Sequence, residues 1–251
     1  MLKLKLFYIF SCFVFVENKE LPKFMRDLRC PLTHDFKPCF LEKGNAAIPL
    51  IAKGDPEYNI PKMDPFEIPV VKLFSSPSMA LNLTNLKIYG LENLKIIDIE
   101  VDLNRRMFRT TLKGENVTAI GNYSIDGKIL VMPIKSKGLF SMYIQNGIYI
   151  ATKIDHIIDK HGEKYYKPVF EPLDYHLEKV DFQIHNLFGE NKVLGDEVNR
   201  FLNNNWDILM IEFGPEIAQI ISKIITDIFD NLAAVVPVKY VFLDDPVFKF
   251  K

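Results

Sequence analysis

The chain has 251 residues, 48% of them hydrophobic and 25% charged, with a formal net charge of -1. That composition excludes an intrinsically disordered chain, and the balanced charge excludes broad attraction for nucleic acid. The length allows one large domain or two smaller ones.

The first residues have the pattern of a secretory signal peptide. MLKLK carries two lysines, Leu6 to Val16 forms a short apolar run, and ENKE ends it. Eleven helical residues span about 16 Å, against roughly 30 Å of bilayer core, so the run is too short to cross a membrane. We expect a signal peptide over 1–16 and one domain over 17–251. No later stretch is apolar for long enough to hold the product stably in a membrane. Beyond Cys12 two cysteines remain, Cys30 and Cys39 in CPLTHDFKPC. An even pair in a secreted chain reads as a disulfide. Three N-glycosylation sequons, at Asn82, Asn116 and Asn122, agree with that route.

Asp35 is placed to cap a helix from Phe36 or Lys37 towards Ala52, with Pro38 in its first turn and Pro49 bending its end. Lys53 to Pro69 holds four prolines and reads as an extended, turn-rich connector. Strands are expected from about Ser78 to His185. In KIIDIEVDL, Ile97, Ile99, Val101 and Leu103 alternate with Asp98, Glu100 and Asp102, and Arg105-Arg106 turns the chain. In the next strand Val117, Ala119, Gly121, Tyr123 and Ile125 face inward if the sequon asparagines face water, and Ser124 to Gly127 looks like a hairpin turn. Phe140, Met142, Ile144, Ile148 and Ile150 are expected on one face of the following run, and Val180, Phe182 and Ile184 on one face of another. The chain ends in helix. Val198, Phe201, Leu202, Trp206 and Leu209 form one stripe, and Gly214-Pro215 marks a break or kink. Beyond it Ile217, Ile220, Ile221, Ile224, Ile225 and Ile228 recur at the spacing of one helix face.

A sheet with one apolar face and a helix with an apolar stripe must bury each other, so the sequence predicts an α+β fold: a long C-terminal helix covered by a curved antiparallel sheet. Chemistry leaves little trace. There is no nucleophile elbow, phosphate loop or dinucleotide fingerprint, and the five histidines show no metal-ligand spacing. No enzyme, cofactor or metal is expected. The apolar surplus fits either an ordinary core or a ligand cavity.

Three blocks resemble the takeout and juvenile-hormone-binding protein family of insects. They are the leader followed by CPLTHDFKPC and a helix, LIAKGDPEYNIPKMDPFEIP, and LGDEVNRFLNNNWDILMIEFGPEI. The resemblance spans the mature chain. It implies a tubular lipid-binding fold, in which a highly curved antiparallel sheet wraps the long helix, and a non-enzymatic secreted carrier of small hydrophobic ligands such as fatty acids, terpenoid hormones or long-chain lipids. The family's first disulfide maps onto Cys30 and Cys39. The lack of later cysteines places the chain nearer the takeout branch than the hormone binders of the moth type. Within that frame the candidate lining residues are Ile217, Ile221, Ile224, Ile225 and Ile228 of the helix. From the sheet they are Val117, Ala119, Tyr123, Phe140, Met142, Ile144, Phe182 and Ile184, with the Tyr123 hydroxyl available to a ligand's polar end. The alternative is a secreted signalling protein with a filled core, acting through a protein receptor.

Overall fold

The computed structural model describes residues 21–26, 29–76, 79–129, 132–189 and 191–243. The expected signal peptide lies outside them. A short helix α1 (Lys23–Arg26) precedes α2 (Phe36–Ile51). Seven strands follow: β1 (Phe66–Ser76), β2 (Met79–Tyr89), β3 (Lys95–Asp102), β4 (Met107–Ile129), β5 (Met132–Lys160), β6 (Glu163–Phe170) and β7 (Asp174–Ile184). Helices α3 (Lys192–Asn204) and α4 (Trp206–Ala233) come after the sheet.

One antiparallel sheet holds every strand. Its spine is the long β4–β5 hairpin, paired from Met107 opposite Ile154 to Ile129 opposite Met132. Each side of the spine carries two half-length strands. Against β4 lie β2, along Ala80–Tyr89, and β3, along Lys95–Asp102. Against β5 lie β7 and β6. β1 extends the sheet beyond β2. Helix α4 packs on β1 at one margin and on β6 and β7 at the other. It therefore spans the mouth of a curled half-barrel, and the sheet wraps it.

A break in the pairing crosses the spine. Glu115, Asn146 and Glu178 drop out of the pairing registers of β4, β5 and β7. Each strand leaves one residue unpaired at the same level, so the register is unchanged across the line while the inward-facing parity switches. Val117 and Ile144 point inward on one side of the line. On the other side Gly114, Gly147 and Tyr149 do so, and Ile148 and Ile150 turn to the outer face, against expectation. A register shift between Ile96 and Asp98 leaves Ile97 exposed, while Ile99 stays buried. Leu103 falls in the turn after β3 and is exposed.

Other boundaries also move. β1 starts inside the proline connector and tolerates Pro69, because an edge strand can do without one ladder donor. β4 runs through Ser124–Gly127, which pair with Ile134–Lys137, so the hairpin turn falls after Ile129. Helix α4 continues through Gly214-Pro215, and the break comes earlier, at Asn205. α2 has its expected span, but the Asp35 side chain makes no capping bond and contacts His34 instead.

Asparagines finish the open edges. Asn199 Nδ2 donates to Ile184 O and its Oδ1 accepts from Ile184 N–H, both at 2.9 Å. Asn203 does the same for Phe182, one turn along α3. Asn45 of α2 clasps Ile96 on β3 in the same way. A carboxamide carries one donor and one acceptor side by side, so it can stand in for a missing strand and satisfy an exposed edge.

Candidate functional site

The inward face of the sheet can be followed along its spine. At one end a packed cluster joins Leu73, Leu86, Ala119, Tyr123 and Phe140 to Leu202 of α3, with Met142, Ile184, Phe213 and Ile217 against it. Next comes a cluster around Val117, Ile144, Leu177 and Val180, with Phe182, Tyr149 and Trp206 against it. At the far end Phe36 of α2, Ile99 and Phe108 pack with Phe242. The C-terminal end of α4 is stoppered by Tyr58, Ile60 and Val236. All eight sheet residues expected to line a ligand site therefore face inward, and all belong to the first two clusters, as does Ile217.

Between the second and far-end clusters runs a stretch of the inward face that enters neither. Thr110 and Leu112 of β4 and Ala151 of β5 share the inward face by register, are half-buried, and belong to no cluster. The other four helix candidates behave alike. Ile221, Ile224, Ile225 and Ile228 fall within the arc between the buried row Gly214, Ala218, Ser222 and the packed row Phe213, Ile217, Ile220. Residues central to a buried helix face should be its most enclosed. These four are only half-buried and are packed against none of the four clusters.

Polar groups on the inward face are few. Tyr123 is spoken for: its hydroxyl donates to His185 O at 2.8 Å and sits 3.1 Å from Ser136 Oγ. Its O–H donor is thus engaged within the protein. Two side-chain atoms are buried without a partner among the described residues, the Tyr149 hydroxyl and Asp155 Oδ1. Both stand on the inward face of β5, on either side of Ala151. The Tyr149 ring lies across the paired glycines Gly114 and Gly147; a Cβ on Gly147 would sit 2.4 Å from the hydroxyl. Burial pushes the Tyr149 phenol up to about 12. Asp155 is 1% exposed, and its Oδ2 accepts from Lys153 Nζ at 2.7 Å. The same Nζ stands 4.6 Å from the centre of the Phe108 ring.

The outer face mixes polar side chains with exposed apolar ones such as Ile120 and Leu139. An open groove of about 400 Å³ there is lined by Asn116, Thr118, Tyr143, Gln145 and Asp181, and it reaches only Ile144 and Phe182 of the expected lining. Asn82 and Asn122 face outward on adjacent strands, Asn82 opposite Ser124 and Thr84 opposite Asn122. Cys30 and Cys39 are joined, with Cα atoms 5.9 Å apart. Among the described residues no three His, Cys, Asp or Glu converge as for a metal, and no helix is long and apolar enough to cross a membrane.

A curled antiparallel sheet closed by one long helix, with an apolar interior between them, defines the class. Sequence relationship narrows it: residues 6–243 match the haemolymph juvenile hormone binding protein family, and the chain belongs to that family. The circadian clock-controlled protein daywake of Drosophila melanogaster is 24% identical over 223 residues, covering 83% of this chain and 84% of its own. Its Drosophila yakuba counterpart is 25% identical over 221 residues, with the same coverage. The crystal structure of Epiphyas postvittana Takeout 1 superposes with a TM-score of 0.74 at 23% identity, over 85% of this chain and 98% of that one. The family expected from the three sequence blocks is therefore the family found, and the wrapped-helix fold with it.

Proposed function

We propose that this protein is a secreted, non-enzymatic carrier that holds a small hydrophobic molecule between α4 and the sheet. The observation that carries this reading is the partial burial of the inward residues Thr110, Leu112 and Ala151 and of the α4 isoleucines, all outside the packed clusters. An inward apolar belt, central to the fold, is left half-buried between two tightly packed clusters. Close-packed interiors rarely leave such a belt open without a use for it. The family's name, that of binders of juvenile hormone in haemolymph, supports both the apolar ligand and the extracellular setting.

In this reading Ile221, Ile224, Ile225 and Ile228 form the roof, and Leu112, Ala151 and Thr110 the floor. Val117, Ile144 and Phe182 form the wall at one end. Ala119, Tyr123, Phe140, Met142, Ile184 and Ile217 lie deeper and brace that wall. A ligand burying ~15 methylenes would gain ~12 kcal/mol from the hydrophobic effect. Lost freedom takes back several kcal/mol or more, which leaves micromolar to nanomolar binding suited to a carrier that must also release. Residues 1–16 are the expected export signal, and Asn82, Asn116 and Asn122 the expected glycan sites.

Native mass spectrometry of the secreted protein, followed by organic extraction, tests the proposal. Co-purified lipid near one per chain is the expected result. An unliganded mass that stays unchanged after exposure to fatty acids, terpenoids and quinones would reject it and favour a filled signalling protein with a protein receptor.

A further inference from the structure

The ion pair of Lys153 and Asp155 is out of place on an apolar floor. Two charges taken out of water seldom stabilise a fold relative to apolar residues of the same volume, so such a pair calls for a specific use. Here it is also incomplete. Asp155 Oδ2 is held by Lys153, while Oδ1 has no partner among the described residues although the side chain is almost wholly buried. The neighbouring surface is aromatic. Lys153 stands over Phe108, Phe108 stacks on Phe242 with ring centres 5.7 Å apart, and Phe36 and Tyr166 meet Phe242 edge-on. The pair thus closes the open belt at the end opposite the Val117 wall.

Resting on the carrier reading, we infer that Asp155 Oδ1 receives the hydroxyl of a neutral, alcohol-bearing apolar ligand whose body lies along the belt. A hydroxyl fits both partners, since it can donate to Oδ1 and accept from Lys153 Nζ. The pair is already charge-balanced, so a carboxylate or an ammonium would bring an uncompensated charge into a dry site. An ether or a hydrocarbon would leave Oδ1 unsatisfied. Oδ1 is shielded by its neighbours, so the ligand must part the ring cluster. Phe242 is the ring best placed to yield, because it is carried by the C-terminal segment and not by the sheet or α2.

Displacement of a fluorescent naphthylamine dye from the full secreted protein reads the preference directly. The probes are dodecanol, dodecyl methyl ether and dodecanoate, which share one alkyl chain. Dodecanol should bind roughly tenfold or more tighter than the ether, as expected for a buried hydrogen bond to a charged group, and dodecanoate should be weaker than dodecanol. Replacing the whole pair, Lys153→Met with Asp155→Leu, leaves no lone buried charge. It should abolish the alcohol preference while keeping ether binding. Asp155→Asn should cut the preference several-fold by making the acceptor neutral. Equal affinity for alcohol and ether in the wild type, or a preference that survives in the double variant, would overturn the hydroxyl site and leave the carrier standing. If all three probes fail to displace the dye, the carrier reading fails and this inference falls with it.

Discussion

Tyr149 shows how one side chain can register the state of the interior. Its hydroxyl is buried without a partner among the described residues, and burial pushes its phenol up to about 12. An unfolded tyrosine ionises near 10. Below pH 10 the group is neutral in both states. Between about 10 and 12 the unfolded chain releases this proton and the folded chain keeps it, so folding stability falls as pH rises. The wild type should therefore lose up to roughly 2–3 kcal/mol more than Tyr149→Phe across that interval, as read by urea unfolding at each pH. Near neutrality the same substitution should be neutral or slightly stabilising, because it removes an unsatisfied hydroxyl. Tyr149 could not have been picked from the sequence. The alternation Phe140, Met142, Ile144 resumes at Ile148 and Ile150, and the Asn146-Gly147 pair that interrupts it marks a local irregularity without telling that the inward parity switches there. Tyr123 faced inward as its parity required, but the satisfaction of its hydroxyl depends on His185, a residue 62 positions away.

At the scale of elements, α4 depends on one close approach. A Cβ on Gly214 would sit 1.6 Å from the Tyr175 hydroxyl, which donates to Met210 O at 2.9 Å. Gly214→Ala should improve local helix propensity by ~1 kcal/mol, yet destabilise the protein by roughly 1–3 kcal/mol net, because helix and β7 must move apart. Thermal unfolding checks the sign. In the double variant with Tyr175→Leu the losses should be less than additive. The Gly-Pro pair that suggested a break is thus tolerated inside a continuous helix, with the glycine needed for packing against Tyr175. The asparagine clamps make a second test. Asn199→Leu and Asn203→Leu should each lower stability by about 1 kcal/mol, water taking over part of the lost bonding. The pair together should produce concentration-dependent association, visible by size-exclusion chromatography, as the β7 edge is uncovered. Composition reads asparagine as a turn former, and its use as a substitute strand appears only once α3 lies beside β7.

For the whole molecule the question is whether the interior is one solid core or two cores with a space between. Most of the architecture was legible. The period of the last helix, the alternation in β3, β4 and β7, and the three blocks each pointed to a sheet wrapped round a helix. Periodicity separates inside from outside, but it cannot separate packed from open, since Ala119 and Ala151 look alike in sequence. Ala119 sits 5% exposed inside the first cluster, whereas Ala151 is half-buried on the belt. Ala119→Trp should therefore overpack a full core and destabilise by ~1–3 kcal/mol or more. Ala151→Trp should find room, leave the unfolding midpoint of the ligand-free protein nearly unchanged, and displace whatever lipid the wild type retains. It should also abolish the rise in midpoint that a saturating apolar ligand gives the wild type, a rise expected because binding to the folded state alone stabilises it. Equal destabilisation by the two tryptophans would mean that the belt closes in solution and that the molecule has a single filled core. A tolerated Ala151→Trp with loss of lipid would place the ligand over β5, between Tyr149 and Asp155.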